Sequence, residues 1–156
     1  MKRRTLIVTT VGILVTSSLL AACGNGGSSS GGNASSDPID ASKPVEIAMQ
    51  DIKFDQTALT VKSGDTVNFR FINSGKVPHD AFIGDGTAQA EHEEEMKAMA
   101  SAGDMSGHAM DEAAVTVQPG ESGSLAYTFD TPGTYEVGCH QPGHYTAGMK
   151  VTVTVT

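Results

Sequence analysis

Three stretches of this chain alternate apolar and polar residues with a period of two. Val67, Phe69 and Phe71 alternate with Asn68 and Arg70, Leu125, Tyr127 and Phe129 with Ser124, Ala126 and Thr128, and Val151, Val153 and Val155 with threonines. A strand points successive side chains to opposite faces, so this spacing predicts strands with one face buried and the other wetted. Turn signals at Ser63-Gly64-Asp65, Asn73-Ser74-Gly75, Gln118-Pro119-Gly120 and Thr131-Pro132-Gly133 cut the chain into short pieces. Short alternating strands at such intervals predict an all-β fold, an antiparallel sandwich of about seven or eight strands.

The stretch from Cys139 to Met149 concentrates chemistry in one loop: Cys139, then His144 after Pro142-Gly143, then Met149 after Gly148. A thiolate, an imidazole and a thioether are three ligand types of a mononuclear copper centre, and a second imidazole stands upstream at His79. Strand phase supports the set. Cys139 is in step with Tyr135 and Val137, and Met149 with Val151 and Val153, so both sulfurs should point inward at one end of the sandwich. His140 is out of step with Cys139, should face the other way, and is left out of the ligand set. Zinc could take Cys139, His144 and His79, but a thioether suits copper far better than zinc.

The residues also resemble a family. Phe54, Leu59 to Asp65, Val67, Phe69, Phe71 and Asn73, then His79, then Tyr135 to Cys139, Pro142-Gly143-His144 and Gly148-Met149 look like the cupredoxins, the plastocyanin and azurin type of copper protein. The resemblance covers roughly 44 to 84 and 113 to 156. It implies a cupredoxin-like Greek-key β-sandwich holding one copper ion, with His79, Cys139 and His144 as equatorial ligands and Met149 axial. Position 80, often Asn in relatives, is Asp80 here and is expected to brace the loop through hydrogen bonds.

The amino-terminal end reads as an export signal. Met1-Lys2-Arg3-Arg4 and the apolar run from Leu6 to Ala22 have signal-peptide proportions, and Leu20-Ala21-Ala22-Cys23 resembles a bacterial lipobox. Residues 1–22 are therefore expected to be removed and Cys23 lipidated. Gly24 to Ser36, almost wholly Gly, Ser and Asn, opens a tether over 23–43 ahead of a domain at 44–156. Without the leader, 7 Lys and Arg stand against 18 Asp and Glu, a net charge of -11. That acidity argues against nucleic acid as a partner. With Cys23 acylated, Cys139 is the remaining thiol, and metal ligation would protect it outside the cytoplasm.

Residues 85–112 form an insertion. Residues 88–102 are strong helix formers, and His92, Met96 and Met99 would share one helical face. These three, with Met105, His108 and Met110, are candidate auxiliary copper ligands; the alternative is a short helix whose methionines pack on the sandwich. All four ligands of the main site lie outside the segment, so its removal is expected to leave that site intact.

Together these features predict a non-enzymatic blue copper protein, an exported, membrane-tethered one-electron carrier facing the periplasm or cell exterior and serving redox partner proteins. The alternative is a copper-binding or delivery lipoprotein that uses the Met/His-rich insertion.

Overall fold

The alternating stretches become strands because each has one apolar face to bury. In the computed structural model, which describes residues 36–103 and 112–156, the strands are β1 (Val45–Gln50), β2 (Lys53–Phe54), β3 (Ala58–Val61), β4 (Thr66–Asn73), β5 (His79–Asp85), β6 (Ala114–Val117), β7 (Ser122–Thr128), β8 (Gly133–Gly138) and β9 (Lys150–Val155), with one helix, α1 (Gly86–Ala102), between β5 and β6. They form two sheets, β2-β1-β4-β7 and β3-β9-β8-β5-β6. Val67, Phe69 and Phe71 of the first and Val151, Val153 and Val155 of the second are buried in one core. Phe69 stacks on Phe71 at 5.9 Å and meets Phe129 edge-on at 6.3 Å, filling the middle with aromatic area.

The sandwich is as expected, but its strand directions are mixed rather than wholly antiparallel. β1 runs parallel to β4, pairing Ile47 with Phe71, and β3 runs parallel to β9, pairing Leu59 with Val153. The remaining pairs are antiparallel. Alternation reports which face a strand buries and says nothing about direction. Here the chain leaves β1 and β2, crosses to the opposite sheet as β3, and returns to lay β4 beside β1 in the same sense. Ahead of β1, the Ile39 amide donates to the Thr60 carbonyl at 2.9 Å and Ile39 packs on the core, so the chain is joined to the sandwich from that residue.

α1 begins two residues before the predicted helix. Asp85 caps it, accepting from the amides of Thr87 and Ala88 at 3.0 and 2.9 Å, and Gly103 ends it in the left-handed region with φ 72°. Its buried residues are Gln89, His92 and Met96. The helix lies on the outer face of β5 and β8, which is why β5 is buried through six of its seven residues and shows no alternation. No helix among the described residues is long and apolar enough to cross a membrane.

Candidate metal centre

The site forms where the end of β8, the start of β9 and the start of β5 meet. Cys139 follows β8 directly, and its amide donates to the Met149 carbonyl at 3.1 Å, closing the loop between them. Inside the loop the His144 amide donates to Gln141, Ala147 to Gly143 and Gly148 to Tyr145, and the Met149 amide returns to the His144 carbonyl at 3.0 Å. The winding brings residues 139, 144 and 149 to one side. His79 arrives from the opposite direction at the first position of β5. Its approach is fixed by buried Asn73, whose amide nitrogen donates to the carbonyls of Val77 and Val117, both at 2.9 Å, and whose oxygen accepts from the Gly75 amide.

His79 Nδ1 and His144 Nδ1 lie 3.7 and 3.4 Å from Cys139 Sγ. One nitrogen or sulfur from each of these residues falls within 4.8 Å of the other two. An ion about 2.0 Å from nitrogen and about 2.3 Å from sulfur, at bond angles between tetrahedral and trigonal, would set such atoms roughly 3.5–3.7 Å apart. The three donors therefore fit a single ion. Met149, the fourth residue of the expected set, is fully buried in the same core cluster as Cys139. His144 keeps partial exposure at the surface edge, whereas His79 has none.

The surroundings favour neutral protein groups until an ion arrives. Burial, then the neighbouring His144, lowers the His79 pKa below the usual imidazole value, keeping a lone pair for ligation. Burial, reinforced by the Asp80 carboxylate, pushes the Cys139 thiol well above its ordinary value. Asp80 Oδ1 accepts from the Cys139 thiol at 3.2 Å and from the Gln141 amide at 3.1 Å. It ties β5 to the ligand loop, the bracing expected of that position.

His140 is kept out of the site as its phase predicts, but it is not on a wetted face. It is 2 % exposed and lies beneath α1. The sequence reading missed both this burial and the helix residues that hold it, Gln89 and Glu93. The i, i+4 spacing of those two was the available signal. Among the six auxiliary candidates, His92 and Met96 are buried in the helix–sheet interface, His92 stacking on Phe82 at 3.9 Å, and Met99 is half-buried. This placement favours packing over copper capture for His92 and Met96. Met105, His108 and Met110, like Cys23, lie outside the described residues.

The chain is similar to known copper proteins. A family model of copper-binding proteins, the plastocyanin/azurin family, matches residues 41–156. The copper-resistant cuproprotein CopI of Pseudomonas aeruginosa is 34% identical over 139 residues, covering 74% of this chain and 77% of the relative. CopI of Rubrivivax gelatinosus is 38% identical over 116 residues, covering 74% and 67%. Among solved structures, dithionite-reduced auracyanin from the photosynthetic bacterium Roseiflexus castenholzii superposes with a TM-score of 0.61 at 30% identity, covering 75% of this chain and 99% of that one.

Proposed function

Because the chain belongs to the plastocyanin/azurin family of copper-binding proteins, we propose that it is an exported, membrane-tethered carrier exchanging one electron at a time through a single copper ion held by His79, Cys139, His144 and Met149. The observation that carries this reading is the convergence of three donor atoms within 4.8 Å of one another. A scaffold that holds its ligands in place through both oxidation states changes little when the charge on the ion changes, which favours fast electron exchange. Bound copper supplies the one-electron couple. The protein's part is to orient the two imidazoles through their Nδ1 atoms, keep the sulfurs of Cys139 and Met149 away from water, and expose the edge of His144 to a redox partner.

The purified chain is expected to bind one copper and to be reduced and reoxidised reversibly with loss and return of its colour. A chain that binds copper but exchanges no electron with small redox dyes would overturn the carrier reading. A second reading, protection against copper, is favoured by the two relatives called copper-resistant cuproproteins, each matched over about three quarters of this chain. Cells lacking the protein separate the two: loss of growth under added copper with intact electron transfer supports protection, and the reverse supports the carrier.

The tether rests on the apolar run, the Leu20-Ala21-Ala22-Cys23 boundary and the Gly/Ser-rich segment behind it. Cell fractionation should find the protein in membranes, and Cys23→Ser should move it to the soluble fraction without lipid. Two acyl chains hold a protein stably where one is marginal. Unmodified wild-type protein in the soluble fraction would contradict the anchor.

A further inference from the structure

The ring of His140, next in the chain to Cys139, is boxed in on every side by groups from three elements. Its Nε2 faces Gln89 Oε1 at 2.7 Å and its Nδ1 faces Glu93 Oε2 at 2.7 Å, so both nitrogens are engaged by α1. The Gln89 amide has only one orientation that satisfies its neighbours. Its nitrogen faces the carbonyls of Phe82, Gly84 and Glu136, the last at 2.8 Å, which leaves its oxygen to accept from His140. Tyr145, from the ligand loop, stacks on the His140 ring at 4.4 Å, and His92 and Phe82 meet it edge-on at 5.0 and 6.0 Å. The Tyr145 hydroxyl donates to Glu136, which also pairs with Lys150 at 2.8 Å, so the fixed ring is tied to the strands on both sides of the loop.

A second observation shows that the sheet is shaped to receive the helix. A Cβ on Gly138 would stand 2.5 Å from Gln89 Oε1 and 2.9 Å from His140 Nε2, and one on Gly84 would stand 2.8 Å from the Ala88 Cβ. Glycine at these two positions on neighbouring strands leaves room for close approach. A surface arm merely resting on the sandwich would need neither gap.

We propose that α1 is a working part of the metal centre: Gln89 and Glu93 grip His140 and thereby position the backbone of Cys139, so that the insertion sets the geometry and the hold of the thiolate on its ion. Buried hydrogen bonds to the residue beside a ligand restrict the ligand's own movement, and groups that orient metal ligands carry a sizeable part of the affinity. His140, Gln89 and Glu93 are positioning residues; none of them belongs to the converging donor set. The inference rests on the copper reading for its metal-bound consequences and on the hydrogen-bond geometry alone for its metal-free ones.

Two variants test it, Gln89→Met, which keeps the side chain's length and removes its amide, and His140→Phe, which keeps a ring in the box without its nitrogens. Both should change the copper hyperfine splitting and the shape of the visible bands, and weaken Cu(I) binding in chelator competition by about 10- to 100-fold. Glu93→Gln, still able to accept from His140, should retain most of the parent's spectrum and affinity. In the metal-free protein, Gln89→Met should speed amide hydrogen exchange at residues 138–141 and leave the β4–β7 pair unchanged. Unchanged spectra, copper affinity and local exchange in Gln89→Met, with only a lower melting temperature, would overturn the proposal. If His140→Phe fails to fold, Gln89→Met decides. A parent chain that never colours with copper would sink the function proposed above, and the metal-free exchange would still decide this inference.

Discussion

Cys139→Ser is expected to abolish the intense visible absorption of the copper-loaded protein, because that colour requires a thiolate bonded to Cu(II) and a hydroxyl cannot replace it. Both histidine Nδ1 atoms lie close to the Cys139 sulfur, at 3.7 and 3.4 Å, so its loss removes a donor that faces both of the others. The same variant should change the pH dependence of loading. Burial raises the Cys139 pKa, so the metal-free thiol is protonated at neutral pH and must release a proton on binding. Raising the pH should therefore tighten copper in the wild-type chain, by about tenfold per unit for one linked proton, and this component should vanish in the serine variant. Competition against a copper chelator at several pH values measures both effects. Full colour in the serine variant would refute the ligand assignment.

Phe69→Ala is expected to be the most damaging single change to the sandwich. The ring is 1 % exposed, stacks on Phe71 and meets Phe129 edge-on, so truncation opens a void that the two sheets cannot close without breaking their ladders. Truncations of this kind cost about 3–5 kcal/mol, a large share of the roughly 5–15 kcal/mol that holds a typical domain folded. Urea unfolding of the metal-free chain should show a much lower midpoint with a similar slope. A loss below about 1 kcal/mol would mean that the core repacks around the gap, against the behaviour of close-packed interiors. Copper should recover part of the loss, since an ion bound only by the folded state stabilises it by mass action.

The strands of the core were legible because single-faced burial leaves a mark at every second residue, as in Val67-Phe69-Phe71 and Val151-Val153-Val155. The convergence of His79, Cys139 and His144 was legible for another reason: Cys139 and His144 lie in one loop with Met149, and these residue types are rare enough together to name their chemistry. β5 left no such mark, because α1 covers its outer face and the core its inner one. The buried face of α1 carries Gln89, His92 and Glu93 beside Met96, and a largely polar face gives the sequence no apolar stripe to show. The partners His140 would find were hidden for a different reason, since Gln89 and Glu93 lie 51 and 47 residues upstream. The expectation that the insertion could be removed without disturbing the copper loop overlooked these contacts. Counting only the four ligands leaves out the helix contacts that hold the residue after Cys139, and the variants at Gln89 and His140 decide their weight.

The parallel pairing of β3 with β9 has a consequence for how a copper protein of this kind is made. Leu59 must wait for Val153, about 94 residues later in the chain, before β3 can join the second sheet, where β9 lies between it and β8. Contacts of such sequence separation make folding slow. The loop from Cys139 to Met149 is anchored by β9 on its far side, so His79 spends the whole of chain emergence without the donors it will share an ion with. A chain emerging from its amino-terminal end thus has no completed donor set until β9 is out, and metal entry becomes an event that follows chain emergence rather than one that accompanies it.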